Sequence, residues 1–422
     1  MRKQRQHARG GFAKRRRIME NLYCDVVIAG CGVAGLFTAL HLPKEMKICM
    51  LSKGDLASCD SMLAQGGICV LYDEDDYDSY FADTMRAGHY ENRRENVELM
   101  IRGSRAIIDE LLTLGVDFEK NPDGSLVYTR EGAHSRPRIC FHEDITGEEI
   151  TTTLLAHVKK LTNVTILEYT TMTDILVTDE ECCGVIATAQ GGEKLHIHAA
   201  DTVMATGGIG GLYEHSTNFP LLTGDACKIA EKHGVKLEHM DYVQMHPTCL
   251  YSKKPGRSFL ISESARGEGA ILLNHRGERF VDELLPRDVV TQAIQKEMEK
   301  EGTDHEYISF ADVPEKTVRS HFPHIYERCL KEGYDILREP APIVPAQHYF
   351  MGGVHVDHNS MSTMKHLYAV GETSCNGVHG KNRLASNSLL ESLVFAKRAA
   401  AQITLTQKGR RDDESDYNAA GC

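Results

Sequence analysis

Residues 25–42 read DVVIAGCGVAGLFTALHL, and this stretch decides the fold. It opens with the apolar run VVI, which is typical of a buried parallel strand, and it ends with apolar residues at helical spacing. Between the two lies GCGVAG at residues 30–35. A glycine-rich turn that follows a strand and opens a helix predicts a dinucleotide-binding unit, although such glycines also occur in ordinary structural turns.

The residues of this turn suit a pyrophosphate for separate physical reasons. Gly30 can take the backbone angles of a tight turn, Gly32 has no Cβ to keep a phosphate away, and Gly35 lets the helix press against the strand. The predicted helix begins near Val33 and Ala34, where free N–H groups and the positive end of the helix dipole favour an anion.

The composition predicts a globular protein of two or three domains. The chain has 422 residues, 41% of them hydrophobic. It contains no run of about 18 consecutive apolar residues, so we expect no membrane-spanning helix and no membrane partner. The 13 cysteines are scattered without a CxxC pair. We therefore expect reduced thiols, a cytoplasmic location and no zinc or other metal site.

The charge distribution is uneven, because residues 1–17 carry eight Lys or Arg and no acid while the whole chain has a net charge of −12. Such a block could be an RNA-binding or membrane-surface arm. It lacks apolar periodicity, so we interpret residues 1–19 as a basic, disordered extension, or Met19 as the effective start. An acidic body predicts no nucleic-acid partner, and any anionic substrate needs locally placed positive groups.

The pattern after the turn predicts further parallel strands and helices that pack on the sheet. Residues 47–52 read as a second strand ending at Lys53, where the lack of an acid disfavours a nicotinamide dinucleotide. Helical spacing recurs at residues 97–112 and 150–161. Short β-rich runs across residues 164–205 predict a meander followed by a return to the parallel sheet.

Two polar segments near the second strand invite different interpretations. CDSMLAQGGI at residues 59–68 contains Gly66 and Gly67, so its backbone is a candidate to line the cofactor, and an ordinary turn is the alternative. DEDDYD at residues 73–78 is interpreted as a solvated surface stretch.

The pattern of predicted secondary structure changes at about Asp241. Residues beyond it alternate helix-like stretches with Pro-rich connections and a predicted hairpin at residues 271–281. An apolar strand at residues 366–372 and a closing helix at residues 388–403 follow. The predicted fold class is α/β, with a Rossmann-like dinucleotide-binding domain, a β-meander and an inserted α+β capping domain. The boundaries are residues 20–240, 241–351 (capping domain), 352–406 and a polar, frayed tail at 407–422.

Seven motifs follow the glycine turn in a fixed order. They are AQGG (64–67), REGAHS (130–135), TGDA (223–226), QMHPT (244–248), PRD (286–288), QHYFMGG (347–353) and RLASNSLLE (383–391). Taken singly, a His before Pro or an Arg after Pro is more often an ordinary polar residue than a catalyst. Together they resemble the L-aspartate oxidase family, within the succinate dehydrogenase and fumarate reductase flavoproteins, over residues 24–403. Members of that family commonly continue into a C-terminal helical domain.

The resemblance implies FAD as the cofactor. Succinate dehydrogenases have a histidine that bonds covalently to FAD where this chain has Asp60, so we expect a non-covalent flavin. The implied FAD contacts are Gly30, Gly32, Val33, Ala34 and Gly35 at the phosphates, Ser52 and Lys53 near the adenosine ribose, Ser61, Gln65, Gly66 and Gly67 along the flavin, Asp225, Glu372 at the ribityl hydroxyls, and Ser388 with Leu389 at the pyrimidine edge.

The resemblance also implies a dicarboxylate site for L-aspartate. The implied carboxylate-binding residues are His246, His348, Arg383, Ser262 and Gln244. Glu131 would face the substrate amino group, a feature that a fumarate site has no use for. Arg287 takes the family role of proton donor or acceptor, or stabilises developing charge, because a guanidinium normally stays protonated.

The implied reaction is hydride transfer from the α-carbon of L-aspartate to flavin N5, which gives iminoaspartate. The reduced FAD would be reoxidised by O2, giving H2O2, or by fumarate, giving succinate. The product would feed quinolinate synthase in de novo NAD synthesis. A soluble fumarate reductase is one alternative. A flavin-binding or nucleic-acid-binding protein with an inert site is another, which the joint presence of five chemically suited side chains disfavours.

Overall fold

A computed structural model describes residues 20–254 and 256–419, so the predicted basic extension lies outside the described residues. The strands of the described part are β1 Glu20–Ala29, β2 Ile48–Leu51, β3 Ile68–Cys69, β4 Ile139–Cys140, β5 Val164–Leu167, β6 Thr170–Thr178, β7 Glu181–Ala189, β8 Lys194–Met204, β9 Leu237–Glu238, β10 Val243–Leu250, β11 Phe259–Leu260, β12 Ile271–Leu273, β13 Glu306–Ser309, β14 Ala341–Phe350, β15 Gly353–His355, β16 Leu367–Ala369 and β17 Ser374–Cys375. Its α-helices are α1 Val33–His41, α2 Tyr77–Ala87, α3 Arg94–Leu114, α4 Thr146–Val158, α5 Asp225–Lys232, α6 Glu263–Gly267, α7 Arg287–Glu301, α8 Glu315–His321, α9 Pro323–Lys331 and α10 Asn387–Ala419.

The larger sheet has β1 near its centre, in the order β5-β2-β1-β8-β7-β6, with β16 also paired to β8. The strands β5, β2, β1, β8 and β16 run parallel, whereas β6, β7 and β8 form an antiparallel meander. This arrangement confirms the predicted Rossmann-like α/β unit with a meander. Residues 164–167 were expected within the meander but form the parallel edge strand β5. The return strand is the second half of the 11-residue β8, which is long enough to pair with β7 first and β16 afterwards.

The predicted strand, turn and helix at residues 25–42 are present as β1 and α1. Gly30 has φ +124°, and a Cβ there would lie 1.9 Å from the carbonyl oxygen of Ala205. A Cβ on Gly35 would lie 2.1 Å from the carbonyl oxygen of Gly30. Both positions therefore require glycine, the first for the backbone angle and the second for the contact between helix and strand.

A second sheet is antiparallel throughout, in the order β11-β10-β14-β13-β12, and all its strands lie within residues 243–350. Helices α7, α8 and α9 pack on it around a separate hydrophobic core that includes Ile294, Ile308 and Ile325. These elements lie inside the segment predicted as the capping domain, and the exact domain boundaries stay a prediction.

The hairpin predicted at residues 271–281 is reduced to its turn. The N–H of Gly277 donates to the carbonyl of Asn274 at 2.9 Å, but only one isolated bridge, between Leu273 and Arg279, follows. Strand β12 pairs with β13 instead. The guanidinium of Arg279 forms an ion pair with Glu283 at 2.5 Å, so this polar segment is held by side chains and not by a ladder.

One further expectation holds only in part, and another is wrong. Asp73, Glu74, Asp75 and Asp78 of the predicted surface stretch are exposed. Asp76, placed on a solvated surface from the sequence, is fully buried and forms an ion pair with Arg138 at 2.8 Å. The tail expected to fray from Gln407 continues α10 to Ala419. Gln407 is buried, and its amide donates to the carboxylate of Asp201 at 2.9 Å, which anchors the helix beyond its apolar part. Within residues 20–254 and 256–419, no helix is long and apolar enough to cross a membrane.

Candidate active site

A long cleft lies at the carboxyl ends of the parallel strands and has an empty volume of about 1690 Å³, including its open part. Ala29, Leu51, Ala205 and Val370, which end or follow the four strands β1, β2, β8 and β16, line one wall. Residues of the second sheet cover the other end. This edge of an open parallel sheet is where nucleotide cofactors bind.

Most residues predicted from the sequence line this one cleft. They are Gly30, Gly32, Val33, Ala34, Ser52, Lys53, Ser61, Gln65, Gly66, Gly67, Glu131, Asp225, His246, Ser262, Arg287, His348, Glu372, Arg383, Ser388 and Leu389. Gly35 and Gln244 are not among the lining residues. Gly35 packs α1 on the glycine turn, and Gln244 supports two arginines from behind.

The glycine turn presents the N-terminus of α1 to the cleft. Gly32, which precedes α1, has no side chain to cap the helix, and no acidic residue stands in its first turn, so the dipole and the N–H groups beyond Val33 remain suited to a phosphate. The N–H of Val33 donates to the hydroxyl of Ser61 at 3.1 Å, which holds the loop of residues 59–68 against the turn. Further along, the ammonium of Lys53 contacts Asp225 at 2.6 Å beside the adenosine end predicted for FAD.

The cleft is also lined by two partly buried carboxyl groups, those of Asp60 and Glu372. Burial raises the pKa of Asp60 to about 7, although the N–H of Phe219 and the charge of Arg257 both lower it. Burial and then repulsion by Asp60 raise the pKa of Glu372 to about 8, although the N–H of Phe350 donates to it at 2.8 Å. A carboxyl that keeps its proton near neutral pH can donate to a hydroxyl or phosphate oxygen of a ligand.

Unpartnered polar atoms support the same interpretation. Asp60 Oδ2 and Gln65 Oε1 are buried and have no hydrogen-bond partner among the described residues, although both residues line the cleft. Buried polar groups in proteins are normally hydrogen-bonded, so these atoms indicate a ligand that completes them. The free helix N-terminus, the glycine turn and these carboxyl and amide oxygens together fit a dinucleotide such as FAD.

The substrate end of the cleft gathers buried arginines. The Nε of Arg287 donates to Glu263 at 2.5 Å and its Nη1 donates to Gln244 at 2.9 Å. The Nε of Arg383 donates to the same oxygen of Gln244 at 3.3 Å, and its guanidinium stacks 4.1 Å from the ring centre of Tyr349. Burial and then the charge of Arg287 lower the pKa of Arg383 to about 10, which leaves it charged at neutral pH.

The buried His246 and the partly buried His348 lie edge to face, with ring centres 5.1 Å apart. His246 accepts the N–H of Thr248 at Nδ1, at 3.2 Å, so its Nε2 carries the hydrogen and has no partner in the described part of the chain. His348 Nδ1 contacts the hydroxyl of Thr217 at 2.8 Å. Burial and then the charge of Arg287 lower the pKa of both rings well below 6.5, so both are neutral donors.

A carboxylate lies across from these donors. Glu131 is buried and accepts hydrogen bonds from Ser264 at 2.8 Å and from Ser386. Burial and then repulsion by Glu263 raise its pKa. The substrate end of the cleft therefore offers cations and neutral N–H donors together with Glu131, an acid that forms no ion pair among the described residues.

The structure adds residues that the sequence analysis missed. Glu263, which pairs with both Arg287 and Arg266, lines the cleft, so Glu131 is not the only carboxylate there. Burial alone would raise the pKa of Glu263, but the charges of Arg287 and Arg266 hold it below the usual value. A Glu and an Arg three residues apart within the otherwise small-residue run SESARG were a signal that could have identified this pair.

Comparisons with known proteins agree with this site. The family model for the FAD binding domain matches residues 25–389. The L-aspartate oxidase of Clostridium perfringens is 47% identical over 380 residues, which span 90% of this chain and 86% of that protein. The L-aspartate oxidase of Clostridium acetobutylicum is 47% identical over 91% of this chain and 88% of that protein.

Solved structures show the same architecture. E. coli quinol fumarate reductase FrdA superposes with a TM-score of 0.86 at 33% identity, covering 92% of this chain and 70% of that one. Mycobacterium smegmatis Sdh1 superposes with a TM-score of 0.77 at 29% identity, covering 92% of this chain and 69% of that one. With 47% identity over 90% of its length to the L-aspartate oxidase of Clostridium perfringens, the chain belongs to the FAD binding domain family and, within it, to the L-aspartate oxidases.

Proposed function

We propose that this protein is a FAD-dependent L-aspartate oxidase that converts L-aspartate into iminoaspartate. The observation that carries the proposal is the charge composition of one cleft, which is lined by Arg287, Arg383 and the neutral rings of His246 and His348 together with Glu131. A dicarboxylate with an amino group needs both kinds of partner, donors for its acids and an acceptor for its ammonium.

The two substrate carboxylates are assigned to the arginines and histidines. Each hydrogen bond to a charged group contributes roughly 1.5–3 kcal/mol, and a guanidinium can bind a carboxylate through two N–H groups. Arg383 is held ready by its stacking on Tyr349 and its bond to Gln244. His246 contributes a free Nε2–H. We also assign Ser262 and Gln244 to the substrate carboxylates, as the resemblance implies. Gln244 does so indirectly, because it positions the two arginines.

The substrate ammonium is assigned to Glu131. Fumarate and succinate have no amino group, so this carboxylate is the part of the site that separates an aspartate oxidase from a fumarate reductase. Bound FAD supplies the acceptor for the hydride that leaves the α-carbon, and the residues of the chain hold that carbon in place. The donors on the carboxylates fix one side of the substrate, and Glu131 fixes the other.

Arg287 is assigned an electrostatic role in this oxidation. A guanidinium keeps its proton at neutral pH, and Arg287 forms an ion pair with Glu263 at 2.5 Å. Glu263 in turn contacts Arg266 at 3.5 Å, so the charge at the substrate is supported by a buried chain of three groups. The proton donor or acceptor role that the resemblance implies for Arg287 stays the alternative for fumarate reduction.

The flavin is proposed to bind without a covalent bond. Asp60 has no ring nitrogen that could attach to it. Precipitation of the purified protein with acid should release yellow cofactor into the supernatant. Colour that stays in the pellet would contradict the proposal.

The activity is tested by anaerobic addition of L-aspartate to the purified flavoprotein. Loss of the flavin absorbance, followed by formation of H2O2 when air is readmitted, is the expected result. Succinate is the control and should not bleach the flavin. Bleaching by succinate and not by L-aspartate would contradict the proposal and favour a soluble fumarate reductase.

The setting of the reaction follows from the same proposal. We assign O2 or fumarate as the electron acceptor and quinolinate synthase, in de novo NAD synthesis, as the consumer of the product. A cytoplasmic location is supported by the free thiols of the described cysteines, which are typical of a reducing compartment.

A further inference from the structure

Glu131 is held by two serines from distant parts of the chain. The hydroxyl of Ser264, at the start of α6, donates to Oε1 at 2.8 Å, and the hydroxyl of Ser386 donates to Oε2. Both serines are buried. Each oxygen of the carboxylate thus has one donor, and neither donor carries a charge that would cancel the charge of the acid.

The donor at Ser264 belongs to a directed chain. The hydroxyl of Ser262 donates to the hydroxyl of Ser264 at 3.2 Å, and it also accepts the N–H of Ser264 at 3.2 Å. Because Ser264 receives a hydrogen from Ser262, its own hydrogen is directed to Glu131, and hydrogen bonds in such a chain strengthen one another. The chain runs from a residue assigned to the substrate carboxylates to the residue assigned to the ammonium.

The surroundings also fix where Glu131 can point. A Cβ on Gly66 would lie 2.2 Å from Oε1 of Glu131, so the lack of a side chain at Gly66 leaves space for the Glu131 carboxylate. Ser386 has φ +59°, a left-handed conformation that a serine rarely adopts. Its carbonyl accepts the N–H of Cys69 at 3.1 Å, which holds the backbone in that conformation and its hydroxyl on Glu131.

Several charged or titratable groups act on Glu131 from the elements packed around it. Glu263 repels its negative charge, and the thiol of Cys69 lies near it. Arg287, Arg266 and Arg383 attract it. Burial further disfavours the charged form of Glu131. The hydroxyls of Ser264 and Ser386 are the nearest donors that stabilise that charged form.

We propose that Ser264, together with Ser386, is a specificity-determining positioning residue that keeps Glu131 ionised and directed at the substrate ammonium. This inference rests on the proposed oxidation of L-aspartate. Removal of the Ser264 hydroxyl leaves Oε1 of Glu131 without its donor. The charged carboxylate then becomes less stable, and binding of an ammonium needs that charge. Binding of a dicarboxylate without an amino group does not.

The test compares two reactions of one FAD-loaded enzyme, L-aspartate oxidation and fumarate reduction with dithionite-reduced viologen. Ser264→Ala should raise the KM for L-aspartate about tenfold, as expected for a lost bond to a charged group. In the pH profile of kcat/KM for L-aspartate, the acid limb of this variant should move to higher pH, because Glu131 must lose its proton before it can bind an ammonium. The kinetics of fumarate reduction should change less than about twofold.

Two variants control for a merely structural effect. Ser264→Thr keeps the hydroxyl and should restore both the KM and the pH limb. Ser104→Ala removes another buried hydroxyl, which contacts only backbone in and near α3, and should leave both reactions unchanged. Calorimetric binding of succinate gives a readout that is independent of turnover, and its Kd should be equal in the wild-type enzyme and the Ser264→Ala variant.

The outcomes separate this inference from the function on which it rests. A wild-type enzyme that does not oxidise L-aspartate would overturn the proposed function. A wild-type enzyme that does so, with a Ser264→Ala variant that keeps the same KM and pH limb, would overturn the role of Ser264 alone. Equal losses in L-aspartate oxidation, fumarate reduction and succinate binding would also overturn it, since they indicate a general distortion of the site.

Discussion

Two buried clusters of arginine and carboxylate side chains differ in how completely they are satisfied. In the first, Arg138 is fully buried and donates to Asp76 at 2.8 and 2.9 Å and to Asp83 at 2.8 Å. It also contacts His134 Nδ1 at 2.9 Å and the hydroxyl of Ser79 at 2.9 Å. Every side of this guanidinium has a partner.

The second cluster surrounds the substrate end of the cleft and is incomplete. Arg266, Arg287 and Arg383 share the two carboxylates of Glu263 and Glu131. The Nε2 of His246, which lines the cleft beside these arginines, is buried and has no hydrogen-bond partner in the described part of the protein. The excess of donors and positive charge is the complement of a dianion. Residue types and burial are therefore alike in the two clusters, and the unfilled hydrogen-bonding capacity distinguishes the binding site from the structural core.

The largest effect is expected at Arg287. Replacement by leucine removes a positive charge from the substrate and leaves Glu263 with Arg266 as its remaining partner. Turnover of L-aspartate should fall by about three orders of magnitude, in the range found when a donor that stabilises a transition state is lost. FAD should remain bound, as measured by the absorbance of the purified protein. Arg319→Leu, at an exposed pair with Glu315, is the matched control and should keep normal turnover.

The complementary change at Arg138 should affect stability. Arg138→Gln leaves the buried Asp76 without its ion-pair partner and Asp83 with Arg86 alone, and loss of one partner from a buried ion pair costs about 3–5 kcal/mol. The free energy of unfolding, from urea titration of the FAD-loaded protein, should fall by this amount. The same substitution at exposed Arg319 should cost less than about 1 kcal/mol. Equal stability losses at both positions would contradict the interpretation of the Arg138 cluster as structural.

A smaller and more selective effect is expected at Glu131. Glu131→Gln keeps the shape of the side chain but removes its charge, so the kcat/KM for L-aspartate should fall about 10- to 100-fold. Fumarate reduction by the same variant should stay near the wild-type rate. If both reactions fall equally, the carboxylate has a structural role and does not face the substrate ammonium.

The smallest effect concerns pH and the Arg138 cluster. Burial and then the charge of Arg138 lower the pKa of His134 to about 4, so its ring is neutral in the folded protein at pH 5 and above. In the unfolded chain the ring gains a proton as the pH falls below about 6.5, which favours unfolding. The stability advantage of wild type over His134→Gln should therefore shrink by about 1–2 kcal/mol between pH 7 and pH 5. An advantage that grows on acidification, in paired urea titrations, would contradict this sign.

Residue patterns were enough to predict much of the candidate site because its motifs are short and chemically distinctive. The glycine turn and the residues of QMHPT, PRD, QHYFMGG and RLASNSLLE were all identified from the sequence, and the structure brings them to one cleft. The partners of these residues were not predicted. Ser386 and Glu131 are 255 positions apart, and no local pattern reports that their side chains meet.

The sequence by itself determined the strand, the turn and the first helix, since apolar periodicity and the conformational freedom of glycine act over a few residues. Only the tertiary structure decided which charges are buried. Asp76 lies in a run of acids that suggests a solvated surface, and it is buried because Arg138, 62 positions away, pairs with it. Burial of a charge depends on a partner brought from elsewhere in the chain, so the pairing that separates the core cluster from the binding site appears only after folding.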